Sequence, residues 1–118
     1  VLNEILLIVS SNLLRRYYDN EKTVKAQITW ISYSDGGRKH PPLAGTRYCP
    51  IVKFKNMKGK NGEYWSADFV CSEVDKNHSA IVDFTFLSEY APIDYLVKGN
   101  QFELFEGNKK VAVGIIVE

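Results

Sequence analysis

Thr23-Val24-Lys25-Ala26-Gln27-Ile28-Thr29-Trp30 is the stretch on which the fold turns. Val24, Ala26, Ile28 and Trp30 take alternate positions, with Lys25, Gln27 and Thr29 between them. In an extended chain successive side chains leave opposite faces, so this spacing predicts a strand with one face buried and the other in water.

The same period recurs toward the C-terminus. A second strand is expected over about Tyr48 to Lys55, and a third where Trp65, Ala67, Phe69 and Cys71 alternate with Ser66 and Asp68. A fourth carries Val82, Phe84 and Phe86 against Asp83 and Thr85. Gln101 to Phe105 and Lys110 to Val117 supply the last two. Turn-forming residues separate them: Asp35-Gly36-Gly37 with a polar loop to Gly45, Lys58-Gly59-Lys60-Asn61-Gly62, Pro92 with Lys98-Gly99-Asn100, and Glu106-Gly107-Asn108. Six strands so punctuated predict a mainly β fold, closed as a barrel or packed as a sandwich, since closure removes exposed sheet edges. Trp30 and Trp65 read as core anchors within it. Lys53, Lys55, Lys58 and Lys60 read as a charged outer face that guards against edge pairing.

Upstream the period changes. Leu2, Ile5, Leu6, Val9 and Leu13 recur at helical spacing, and Leu7, Ile8 and Leu14 widen the apolar face beyond an ordinary surface stripe. Glu4 and the Arg15-Arg16 pair suit the two ends of a helix dipole. The expected organisation is an α-helix within residues 1–22, packed on or flanking a barrel of residues 23–118.

Fifteen basic and 14 acidic residues leave a net charge of +1, so a polyanion site would have to be a local patch rather than a basic domain. Cys49 and Cys71 lie in predicted strands among apolar neighbours and are expected to be buried, reduced thiols of a cytoplasmic protein. Neither they nor His40 and His78 show zinc spacing, so no metal or other cofactor is expected. The longest apolar run, Ile5 to Val9, is far too short for a bilayer, and neither a signal peptide nor a membrane partner is expected.

Two separated segments resemble the C-terminal barrel, the third domain, of translation elongation factor Tu. The first is DGGRKHPPLAGTR, in which Asp35, Gly36, Gly37, Arg38, a proline, Gly45 and Arg47 follow that family's loop order. The second is FELFEGNKKVAVGIIV, in which Phe102, Glu106, Gly107, the Lys109-Lys110 pair, Val113, Gly114 and Val117 match the closing hairpin. Strand order and loop positions agree over residues 24 to 118. Departures are Lys39-His40-Pro41-Pro42-Leu43 in place of the family's His-Thr-Pro-Phe loop, a split Arg47-Tyr48-Cys49-Pro50, and Asn108 for the second hairpin glycine.

The resemblance implies a six-stranded closed antiparallel barrel. It also implies contact with the phosphates and riboses of a tRNA stem through Arg38, Lys39 and His40 with Glu106 and Gly107. Arg47, Lys109 and Lys110 are further candidates for the same RNA- or partner-binding surface. No Gly-x-x-x-x-Gly-Lys-Ser/Thr loop is present in these residues, so no GTP site of that kind is expected. The reading is a non-enzymatic binding module for tRNA-like RNA or a translation-related protein, acting as a mimic or decoy. Two alternatives stand beside it: a small immunity protein that neutralises a toxin, and a structural subunit that oligomerises through its N-terminal segment. A nucleophilic Cys49–His40 pair would need contact in space and a third orienting group.

Overall fold

The computed structural model describes residues 22–57 and 64–118. The helix expected within residues 1–22, apart from its last residue, and the turn expected at residues 58–62 lie outside the described residues. Among the described residues there are seven strands: β1 (Val24–Trp30), β2 (Arg47–Tyr48), β3 (Ile51–Phe54), β4 (Trp65–Val70), β5 (Ser79–Phe86), β6 (Gln101–Glu106) and β7 (Lys109–Ile116). Short 3-10 turns occupy Tyr33–Asp35 and Ile93–Tyr95.

All pairings are antiparallel, and they run in a circuit. β4 pairs β3, β3 pairs β6, β6 pairs β7, β7 pairs β1, β1 pairs β5, and β5 returns to β4. Six strands therefore close a barrel, with β2 as an extra strand on β4. β2 keeps the register of β3: Arg47 faces Val70 and Tyr48 faces Phe69, while Ile51 faces Ser66. The strand expected from Tyr48 to Lys55 is thus one strand interrupted at Cys49-Pro50. Proline has no N–H to give the ladder, although the Pro50 carbonyl still accepts the Ala67 N–H at 2.8 Å.

Alternation became burial where it was clearest. Val24, Ala26, Ile28 and Trp30 all point inward. Phe54, Phe69, Phe84, Phe86 and Phe102 meet in the interior, with Phe84 and Phe102 centroids 4.8 Å apart. Gly114 lies over Phe102, and a Cβ there would come within 2.2 Å of the ring. That is why this position on β7 carries no side chain.

The expectation for the cysteines is corrected at one of the two. Cys71 is buried, but Cys49 is exposed. In the inward phase of Tyr48, Pro50, Val52 and Phe54, position 49 points outward, so apolar sequence neighbours did not bury it. Trp30 is a core residue, whereas Trp65, the first residue of β4, is half-buried against the core.

Candidate binding face at the barrel mouth

Period-two phase explains how a charged group comes to the barrel mouth. On β6, Phe102 and Leu104 point inward, and Glu106 takes the next inward position at the end of the strand. On β2, Tyr48 is likewise in the inward phase, and its ring packs against Trp30 at 5.6 Å and Phe69 at 5.7 Å. The Tyr48 hydroxyl donates to Glu106 Oε2. The long loop after β1 crosses the same end, and Arg38 Nη1 donates to that same carboxylate oxygen. Arg38 Nε donates to the His40 carbonyl at 2.9 Å, and its guanidinium lies 5.7 Å from the Tyr48 ring centroid.

One carboxylate therefore fastens the loop after β1 to the β6–β7 hairpin. Partial burial disfavours a charge on Glu106, but the hydrogen bonds from Tyr48 and Arg38, with the Arg38 charge, outweigh it and hold the carboxyl below its ordinary value. Burial first, and then the hydrogen bond to Glu106, pushes the Tyr48 phenol well above the usual tyrosine range. Tyr48 is thus a permanent donor, and the cluster is charged only on Arg38 and Glu106.

The latch yields a pH dependence with a definite sign. A carboxyl held low in the folded state stabilises it fully above the unfolded value, and that contribution is lost as pH falls through the lowered one. Arg38 and Glu106 side chains are 34% and 36% exposed, so solvent screening limits the contribution to the order of 1 kcal/mol. Chemical denaturation between pH 7 and pH 3 should show a stability decrease of that size that is absent in Glu106→Gln. Equal pH profiles for the two proteins would mean that the latch contributes nothing.

The two glycines before Arg38 differ in purpose. Gly36 has φ +95° and ends the 3-10 turn by donating its N–H to the Tyr33 carbonyl at 3.0 Å. Gly37 is needed for space, since a Cβ would stand 1.9 Å from the Ile31 carbonyl oxygen. On the hairpin, Gly107 has φ +59° at the first position of a two-residue loop, as a type II′ turn requires.

Six of the eight sequence candidates gather at this end: Arg38, Lys39, His40, Glu106, Gly107 and Lys109. Lys39, His40, Pro41, Pro42, Leu43 and Lys109 border one open trough. The other two candidates do not join them. Arg47 lies on the outer wall, where its Nε and Nη2 grip Asp68 Oδ1 and Oδ2 at 2.9 and 2.8 Å. Lys110 pairs with Glu103 across the outer face of β6 and β7. Sequence reasoning passed over Tyr48, Tyr33 and Leu43. Tyr33 is 64% exposed under the Lys109 ammonium, and Leu43 is 81% exposed at the trough's rim. A carboxylate in the inward phase of an apolar strand was the readable signal that Glu106 needs a partner.

The Cys49 thiol meets a carboxylate rather than an imidazole, with Sγ 3.5 Å from Asp68 Oδ1. Burial and that neighbouring charge raise its pKa, which is the reverse of thiolate activation. Among the described residues no three His, Cys, Asp or Glu side chains come together as a metal site, and no helix is long and apolar enough to cross a membrane. The molecule belongs structurally to the closed six-stranded antiparallel β-barrels. Compared with models of protein families and with curated proteins, the chain matches none.

Proposed function

We propose that this protein is a non-enzymatic binding module that presents an elongation factor Tu-like barrel mouth to tRNA-like RNA. The observation that carries this reading is the Arg38–Glu106–Tyr48 latch, which makes one prearranged face of two segments 68 residues apart in sequence. Arg38 has its fork committed within the protein, so phosphate contacts fall to Lys39, Lys109 and His40, all exposed. Gly107, at the hairpin tip, lets a backbone approach closely, and the exposed Tyr33 ring offers a base a stacking surface. Preorganisation matters because a loop that is already ordered loses less entropy on binding.

The test is titration of the protein with tRNA across a salt series, for wild type and for Lys39→Ala with Lys109→Ala. Each lost phosphate contact should lower the slope of log affinity against log salt by about 0.7–0.9, and affinity should fall at every salt concentration. Absence of binding at low salt in the wild type rejects RNA as the partner.

A translation-related protein is the second reading, and a specific observation favours it. Leu43, 81% exposed beside Pro41 and Pro42, is an apolar contact point of little use to a phosphate backbone. As a decoy or as an immunity protein directed against a toxin, the module would bind that protein through the same face. Leu43→Asp should then abolish binding to that protein and leave any RNA affinity unchanged.

A further inference from the structure

We propose that the outer wall of β3 and β6 binds single-stranded nucleic acid, with Tyr64 and Phe105 as stacking surfaces and Lys53 and Lys55 as phosphate contacts. The proposal is independent of the partner at the barrel mouth.

The lysines of β3 do not have the purpose their sequence suggests. Lysine blunts an exposed strand edge, but β3 is paired on both sides, with β4 at Ile51 and Val52 and with β6 from Ile51 to Phe54. Lys53 and Lys55 leave the outer face in alternation with the buried Val52 and Phe54. Among the described residues neither ammonium forms an ion pair. Glu103 stands across from Lys53 in the register, but its carboxylate holds Lys110. Two positive charges are therefore uncompensated on this wall, and that complements a polyanion.

Aromatic rings decide which polyanion. Phe105 is half-buried in the outward phase of β6, opposite Ile51, and Tyr64, just before β4, is 61% exposed. The Lys53 ammonium lies 4.7 Å from the Tyr64 ring centroid and 4.6 Å from that of Phe105. Exposed rings beside free lysines on a sheet are how such surfaces hold unpaired bases: each ring takes a base face and each lysine a phosphate. A duplex keeps its bases stacked on one another and offers these rings nothing. An acidic peptide would use the lysines and leave the rings idle. Stacking on a base is stronger than a cation–π contact at an exposed site, so an arriving strand displaces the Lys53 ammonium from the rings. Its flexible stem then carries the charge to an adjacent phosphate. Beyond Lys55 the wall continues as a shallow groove in which the Gln101 and Gln27 amides flank Ile115 across β6, β7 and β1. Those amides supply donors and acceptors for the edge of a further base.

The test is fluorescence anisotropy of a labelled single-stranded RNA of about ten nucleotides, titrated with the full chain across a salt series. Tyr64→Ala, at an exposed position whose truncation leaves the fold intact, should weaken binding about tenfold. Tyr64→Phe keeps the ring and should stay within about twofold of the wild type. Lys53→Ala with Lys55→Ala should lower the slope of log affinity against log salt by about 0.7 for each lysine. Absence of binding to the single strand at low salt overturns the proposal, as does undiminished binding by Tyr64→Ala. Equal weakening of single-stranded and duplex RNA by Tyr64→Ala overturns it too, because the ring is then not reading unpaired bases. So does affinity lost in Lys39→Ala with Lys109→Ala and kept in Lys53→Ala with Lys55→Ala, which would place the strand at the mouth. Competition by poly-glutamate as effective as that by unlabelled strand would mean a face selective for charge alone, and rejects the proposal as well.

Discussion

Phe84→Ala is expected to remove about 3–5 kcal/mol of stability, the largest effect of any single truncation in this barrel. Phe84 is fully buried, stacks on Phe69 at 5.9 Å with rings inclined 23°, and packs on Phe102 at 4.8 Å. Truncation leaves a cavity between rings that their own strands hold in place: Phe69 on β4, Phe102 on β6, and Phe84 opposite Val24 on β1. Collapse around the hole is therefore limited, and the cavity penalty adds to the lost transfer energy. Against a total of about 5–15 kcal/mol for an ordinary domain, the variant would stand close to unfolding at room temperature. Urea denaturation should show a lower midpoint with an unchanged slope. The control is Tyr90→Ala, 80% exposed, which should change stability by less than about 0.5 kcal/mol. A loss below about 1 kcal/mol at Phe84 would mean that the aromatic interior is not packed as described.

The barrel was readable where alternation was unbroken and one face was strictly apolar. β1 is the clearest case, and Val82, Phe84 and Phe86 of β5 obey the same rule. Two things escaped that reading. At Cys49-Pro50 the strand is interrupted, and an apolar run of neighbours said nothing about which way Cys49 points. On the closing hairpin Val111 and Ala112 are both buried although adjacent, because the register shifts between Leu104 and Phe105 and admits an extra residue on β7. A bulge breaks the period that sequence reasoning uses, so the direction of Lys109 and Lys110 could not be obtained by counting.

The face at the barrel mouth was legible as two segments and not as a site. Arg38 and Glu106 appeared among the candidates for separate reasons, and their bond depends on strand closure that brings distant residues together. The role suggested for Arg38, a free fork toward phosphate, gives way to an internal tie. A buried or half-buried cation is best served by a carboxylate at fixed geometry, and the inward phase of β6 supplies one. Arg47 makes the same point on the outer wall, where Asp68 occupies its two donors side by side. Lysines without such geometry, Lys39 above all, keep their charge available.

Gly37→Ala is expected to be the most damaging change at the mouth, about 3 kcal/mol, whereas Gly36→Ala should cost about 1–2 kcal/mol. The order reverses what backbone angles alone suggest, because Gly36 has the positive φ and Gly37 does not. At Gly36 an added Cβ meets nothing within 4 Å and bears only the left-handed strain. At Gly37 it meets the Ile31 carbonyl oxygen at 1.9 Å, a backbone atom with no rotamer to escape into. Ile31 is itself held, its N–H donating to the Val111 carbonyl at 3.0 Å. The loop must move instead, breaking the Gly37 N–H bond to the Ser32 carbonyl at 2.9 Å and carrying Arg38 away from Glu106. In Gly37→Ala the acid-dependent stability step assigned to the latch should therefore vanish, while in Gly36→Ala it should persist. Amide shifts should change over residues 31–48 and 104–111 and stay fixed in β4 and β5. If Gly37→Ala keeps the acid step, the loop has accommodated the methyl without releasing Arg38, and the latch is not what positions this face.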